Sequence, residues 1–471
     1  MKKLREHPGI KLPAKASMWY IASGAICRGV NVLGTPIFTR MLTPEEYGLF
    51  PLYTTWLGIF TVIFTLELSG GVVYRGLQKF DGERSVFIRS CLITCFGVFT
   101  AFTVLYAIFR DRVNEITGLS TLITSMMLIQ IFANVIQSIY IARAKFEYKY
   151  KKVALIGIIG SIISPTVSFS VILLTKYKAE GKIFGALISA VAVSIPLLIK
   201  LMKKRTQTLF SPKMSLYVLR YNLPLLPHYL SVSALTRIGE ITISRVWGRE
   251  ALGKYAIAHS LGMSLTMLTG GLLNAVGPWM VRKLKTEGIE QIRRTLTACV
   301  RAISLGVCLI LSVCPETLSL IAPSEYRDVL PAIFPLSICI LPMFVSNAVM
   351  SGEVYYEKSG ISTLPSILSL LVAVLLCSTV MPRLDYRLMG FVILTSYVAL
   401  SVLNCLVFRK LSGEMPLDLV DATVWLVICV LYGALSFLLR SVPMARLIMT
   451  LPLIPAGIFV GLGLRKLISE K

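Results

Sequence analysis

Apolar residues come in runs of about twenty along the whole chain, and charged or proline-bearing breaks separate the runs. A run of that length, wound as a helix, crosses the roughly 30 Å of hydrocarbon in a bilayer. Fourteen runs can be marked, near 17–38, 49–69, 86–109, 116–141, 153–174, 183–202, 217–243, 251–280, 296–320, 329–352, 361–381, 388–408, 419–439 and 446–464. Ten-residue segments of alternating polarity are not seen, which argues against a membrane barrel. The pattern predicts an all-α integral membrane protein. Its fourteen transmembrane helices would form two pseudo-symmetric lobes of six, followed by two C-terminal helices.

The longest polar break, "KKRTQTLFSPKMS", begins at Lys203 and falls after the sixth run. It divides the chain into an N-terminal lobe (1–202), a cytoplasmic linker (203–216), a C-terminal lobe (217–410) and a last pair of spans with a cytoplasmic tail (411–471). A repeated phrase supports the division. "TRMLTPEEYGLF" (39–50) follows the first span and "SRVWGREALGKY" (244–255) follows the seventh. Arg40 aligns with Arg245, Glu45 with Glu250, and Gly48 with Gly253. Six spans separate the copies, an even number, so the halves read as parallel repeats. Gly48 and Gly253 suggest tight turns, and Pro44 with Glu45 suggests a helix start.

Composition then narrows the class. Of 471 residues 55% are hydrophobic and 15% are charged, against about a quarter charged in soluble domains. The formal charge of +24 comes from 48 Lys and Arg against 24 acids. The basic residues cluster in short loops, where they act as topology signals and meet anionic headgroups; nucleic acid is not an expected partner. With a cytoplasmic N-terminus, 31 basic residues fall on the inner side and 14 on the outer, which places both termini in the cytoplasm. The ten Cys lie almost all inside apolar runs, with no metal-ligand spacing and no expected disulfide. Neither a phosphate loop, nor a paired-carboxylate motif, nor a large outer loop is present, so an enzyme is not expected.

A charged group costs about 2.5–3.5 kcal/mol at a helix centre on insertion scales, so such residues usually face a cavity. Span one carries Gly24, Arg28, Asn31 and Thr35 on one helical face. Span seven carries Ser233, Arg237, Glu240 and Ser244 at the same spacing. Span four adds Gln130, Asn134 and Gln137, and span eight adds His259, Thr266, Gly270 and Asn274. Each amide alone has a plainer reading as a helix–helix hydrogen bond, and Arg237 with Glu240 has one as a local ion pair. Together they suggest a polar, cationic cavity lined by Arg28, Asn31, Gln130, Asn134, Arg237 and Asn274. Span seven contains Pro224 and Pro227, and span eight contains "TGG" (269–271) and "GP" (277–278), so both are expected to kink.

"RMLTPEEYGLF" after the first span, and "YNLPLLPHYLS" followed by "SRVWGREALGKYAIAHSLG" at the seventh, resemble the two lobe starts of the polysaccharide flippase family. That family moves O-antigen, capsule or teichuronic-acid precursors and belongs to the MATE-like MOP exporter superfamily. The resemblance implies translocation of undecaprenyl-pyrophosphate-linked oligosaccharide across the bacterial cytoplasmic (inner) membrane by alternating access, the lobes rocking and the lipid tail staying in the bilayer. It implies no cofactor and no metal, with H+ or Na+ coupling through Glu67, Glu240 or Glu353. Many relatives carry Asp where this chain has Glu240. Partners would be the lipid-linked oligosaccharide, membrane lipids, a polysaccharide polymerase and other assembly proteins. The alternatives are a cation-coupled multidrug or amphiphile exporter and a lipid II-type flippase; acids in the cavity would favour the exporter and arginines a lipid-linked anion.

The basic-residue count makes a direct prediction. Reporter fusions within 203–215 and at Lys471 should both read cytoplasmic, and a periplasmic signal at either place overturns the lobe assignment.

Overall fold

Helix is the regular structure throughout residues 11–68, 71–203, 208–286, 288–353, 356, 359–453 and 455–457, which the computed structural model describes; no strand occurs among them. The helices in chain order are α1 Lys11–Met41, α2 Pro44–Thr65, α3 Gly71–Lys79, α4 Arg84–Ile108, α5 Arg110–Thr117, α6 Thr121–Phe146, α7 Tyr150–Leu174, α8 Lys178–Met202 and α9 Pro212–Asn222. They continue with α10 Leu226–Val246, α11 Gly248–Gly262, α12 Thr266–Thr286, α13 Ile289–Ile321, α14 Leu330–Ile338, α15 Ile340–Glu353, α16 Ser359–Thr379, α17 Met389–Ser412, α18 Leu419–Leu438 and α19 Pro443–Thr450.

Ten segments among the described residues are long and apolar enough to cross a membrane, and α11 with α12 makes an eleventh if taken as one span bent by 48°. This is a multi-pass membrane protein. The expected fourteen is reached only by adding segments that fall short of that test. Two are α1 and the α9–α10 pair, whose polar residues dilute their apolarity. The third lies near the C-terminus, where residues 458–471 are outside the described set.

By compactness the chain divides into two units. One holds residues up to Leu42 and Leu52–Leu230; the other holds Thr43–Pro51 and Ser231 onward. The linker reading puts the boundary at 203–216, yet α9 continues the first unit: Ser211 donates its backbone N–H to Ser90 Oγ on α4 at 2.9 Å. Pro224 and Pro227 break the seventh segment as expected, with a 3-10 turn at Leu223–Leu225 between α9 and α10. The eighth breaks at 263–265 instead of at its glycines, since α12 runs unbroken through Gly270, Gly277 and Pro278.

In the first unit, Leu68, Val72, Phe87, Cys91, Ile139, Leu201 and Val218 form a buried core that joins α3, α4, α6, α8 and α9. Small residues close α7 onto α8: Ser189 Oγ donates to the Gly160 carbonyl at 2.9 Å, and a Cβ at Gly181 would stand 2.7 Å from Ile172. Lipid is as apolar as Leu, so close packing and hydrogen bonds hold such helix pairs. Basic residues expected on the inner side rest on rings: Arg75 on Tyr221, Lys79 on Tyr217, Arg84 on Phe146, Lys145 on Tyr20 and Lys151 on Trp19. The α6–α7 turn is pinned by Glu147, which accepts from Arg143 Nε at 2.9 Å and from Lys149. Burial works to raise this carboxyl, but the bonds from Lys149 and Arg143 outweigh it and hold it below its ordinary value. A depressed carboxylate stabilises the fold above its ordinary range, and that contribution is lost as pH falls through the lowered value.

In the second unit the two copies of the repeated phrase touch each other. Thr43 and Glu46 form a capping box, Thr43 N to Glu46 Oε2 at 2.9 Å and Glu46 N to Thr43 Oγ1 at 3.2 Å, which starts α2 at Pro44. Gly48 and Gly253 are not in turns, as the sequence suggests, but inside α2 and α11. A methyl group on Gly48 would overlap the Arg249 carbonyl and stand 3.1 Å from the Gly253 nitrogen. One on Gly253 would overlap the Pro44 carbonyl and stand 3.0 Å from the Gly48 nitrogen. The glycines thus permit backbone-to-backbone contact that any side chain forbids.

Gly48→Ala and Gly253→Ala should therefore each destabilise the protein by about 1–3 kcal/mol, the usual range for overpacking. Thermal unfolding in detergent reads this, and the double variant should lose less than the sum because one crossing is opened once. Wild-type stability in either single variant would contradict the crossing.

Candidate functional site

α1 carries no acidic residue between Lys11 and Met41. It packs on α7 through Cys27, near Gly157, and Gly34, near Pro165. The polar stripe runs beside that contact. Arg28, near the middle of the helix, and Asn31 are exposed, and Gly24 and Thr35 are half-buried. Asn31 Nδ2 donates to the Cys27 carbonyl and Thr35 Oγ1 to the Asn31 carbonyl, both at 2.9 Å. These local bonds tie Asn31 and Thr35 to their own helix.

α6 places its amides differently. Gln130 is buried, and its Oε1 accepts from the fully buried Tyr53 hydroxyl at 2.6 Å. Gln137 Nε2 donates to the Ala190 carbonyl at 2.9 Å. Both therefore make the plainer helix–helix bonds, and only Asn134, half-buried, has no such bond of its own among the described residues.

In the second unit α10 is the counterpart of α1. Its buried side is set by Leu235, Gly239 and Ile243, with Gly239 against Met389 and Ile393 of α17. Arg237 and Glu240 are half-buried on the neighbouring face, within electrostatic reach of one another. Tyr255 of α11, fully buried, is a second group within reach of Glu240, and His259 stacks beside Tyr255 at 6.2 Å. Asn274 lies on α12, and its side chain is outside the described residues.

The three candidate coupling acids occupy different settings. Glu67 lies past the end of α2, not inside a span. Leu66 and Glu67 both have left-handed backbones, φ 49° and 52°, which non-glycine residues adopt only where their surroundings hold them. The holder is Asn222, fully buried at the end of α9, whose Nδ2 donates to the Leu66 and Glu67 carbonyls at 3.1 and 2.7 Å. Glu353 ends α15, is 2% exposed, and lies close enough to Cys405 to act on it. Glu240 shares its face with Arg237. No group of three or more His, Cys, Asp or Glu residues that could hold a metal occurs among the described residues.

Other charges were not legible as partners. Arg301, an intramembrane arginine, forks onto both oxygens of Asp421 at 2.6–3.2 Å. Arg446, 3% exposed, bonds Glu316 and the Ser312 carbonyl. Arg89 lies on α4 at 1% exposure. Its signal was its position inside an apolar run, between Ile88 and Cys91.

The fold is a multi-pass helical one with polar faces on α1 and α10. It is similar to two solved structures of a multidrug resistance MATE family transporter of the MOP superfamily. To the outward-facing one it is 19% identical with a TM-score of 0.61, covering 86% of this chain and 98% of that one. To the inward-facing one it is 15% identical with a TM-score of 0.59, covering 89% and 98%. Such likeness shows the fold. Residues 14–283, more than half the chain, match the model of the family described as "Polysaccharide biosynthesis protein", and the chain belongs to that family. The "Lsg locus putative protein 1" of Haemophilus influenzae (strain ATCC 51907 / DSM 11121 / KW20 / Rd) is 23% identical over 282 residues, 58% of this chain and 67% of that protein. The family is thus shown by the sequence, and the fold is one shared with MATE family transporters.

The neighbouring charges on α10 yield a test that separates a structural pair from a working one. If Arg237 serves the transported molecule, Arg237→Ala/Glu240→Ala should be as inactive as Arg237→Ala alone. If the two only neutralise each other, the double variant should export better than either single one, because each single change strands a charge. The former is expected, read as transport activity in cells.

Proposed function

We propose that the protein translocates an undecaprenyl-pyrophosphate-linked oligosaccharide, a polysaccharide precursor, across the cytoplasmic membrane by alternating access. The observation that carries this reading is Arg28: an exposed arginine midway along a helix with no acid of its own. Its fork matches phosphate oxygens and stays charged at any working pH. Arg237 is assigned the same kind of role. Asn31, Asn134 and Asn274 are assigned to sugar hydroxyls, with Gln130 contributing only what its bond to Tyr53 leaves free. Membership of the polysaccharide biosynthesis family supports this choice of cargo over others.

Coupling to H+ or Na+ is assigned to the carboxylates Glu67, Glu240 and Glu353. Of these, Glu353 is the most buried. A polysaccharide polymerase and other assembly proteins would take the product on the far side. The multidrug exporters that share the fold suggest a second reading, export of a cationic amphiphile. Arginines on both polar helices, α1 and α10, weigh against it.

Arg28→Ala should abolish precursor export in cells while the protein still inserts, and Arg28→Lys should restore only part of it, since lysine lacks the fork. Normal export by a stably inserted Arg28→Ala would sink the phosphate role.

A further inference from the structure

α18 keeps little of itself inside the protein, with 17% of its span buried. Near its C-terminal end it closes onto α13 and α14, where a Cβ on Gly433 would meet Leu311 at 3.3 Å and Phe334 at 3.6 Å. α17 also reaches α14, where a Cβ on Gly390 would stand 2.6 Å from Pro335 and 3.1 Å from the Ala332 carbonyl. Both helices close onto α14 through a glycine, and neither fills the space between them. That space is a groove of about 270 Å3. Phe334, Pro335 and Ile338 of α14 make its floor; Phe391 of α17 and Ala434 and Phe437 of α18 make its walls. Every lining residue is apolar, and Phe391 is 51% exposed at the open side. An apolar cavity does not hold water well, because water there lacks polar partners. In a membrane-spanning segment the open side faces hydrocarbon, and a lipid chain can enter.

One end of the groove carries a charge. Phe437 closes that end, and the Arg440 guanidinium sits 4.5 Å from the centre of its ring. Arg440 is exposed, and it has no carboxylate partner among the described residues. A cation fixed over the end of an apolar groove complements a lipid with its chain inside and its phosphate at the mouth. We infer that this groove holds one acyl chain of an anionic bilayer phospholipid whose headgroup phosphate pairs with Arg440. The site is independent of the transported molecule and of the polar faces of α1 and α10.

Native mass spectrometry of the full chain, released from micelles with phosphatidylglycerol or phosphatidylcholine added, tests this. The wild type should retain phosphatidylglycerol severalfold over phosphatidylcholine. Arg440→Ala should erase that preference. Ala434→Phe, which fills the groove from an exposed position, should lower retention of both lipids. Arg383→Ala, at an exposed arginine that does not line the groove, should change nothing. Equal retention of the two lipids by the wild type overturns the inference. So does an unchanged preference in Arg440→Ala, unchanged retention in Ala434→Phe, or an equal loss in Arg383→Ala, which would mean diffuse charge. Complete displacement of phosphatidylglycerol by a polyprenyl phosphate would also overturn it, by giving the groove a different occupant.

Discussion

A crossing of two helices at bare backbone constrains the second unit. Gly48 lies against Arg249, and Gly253 lies against Pro44. The two pairs occupy equivalent places in the two copies of the repeated phrase, so the contact maps onto itself when the copies are exchanged. A self-complementary contact of that kind has local two-fold symmetry. It explains why the phrase is said twice: each copy supplies the glycine that the other's carbonyl requires. The capping box of Thr43 and Glu46 fixes where α2 begins, and so which residue of α2 reaches the crossing. Around it Tyr47 meets Tyr326 edge-on, and Lys254 pairs with Glu250 one turn away.

Polar groups in the spans fall into two kinds. Some are consumed by a partner on another helix: Arg301 by Asp421, Arg446 by Glu316, Gln130 by Tyr53, and Asn404 by Ser346. Unpaired, such groups would carry a desolvation penalty; paired, they fix the register of α13 against α18, or of α15 against α17. Others line one exposed face of a helix, as Arg28 and Asn31 do on α1. The groove beside α18 is a third case, an apolar surface organised by one charge at its end.

Much of the fold could be read from the sequence because its cause is local. Twenty apolar residues make a span wherever they occur, and Pro224 and Pro227 break α9 from α10 without help from neighbours. What could not be read depends on residues far apart in the chain. Gly48 and Gly253 suggest turns because glycine's commonest use is a turn; only the partner helix shows that a close approach is what needs them. The same holds for Arg301 and Asp421, 120 positions apart, and for Asn222, which holds the left-handed backbone at Glu67 from across the first unit. Polar stripes were legible on α1 and α10 as spacing, but the sequence could not say that Gln130 was already engaged.

Cargo charge is the point on which the account stands, since the arginines on α1 and α10 are assigned to an anion. The purified protein can be reconstituted in liposomes and offered two fluorescent compounds: a polyprenyl-diphosphate-linked oligosaccharide, and a cationic amphiphile of the kind multidrug exporters carry. Leaflet accessibility of each is then followed under the same ion gradient. The lipid-linked oligosaccharide should cross, and the cationic amphiphile should not. Transport of the cationic compound, with the oligosaccharide left in its original leaflet, would contradict it.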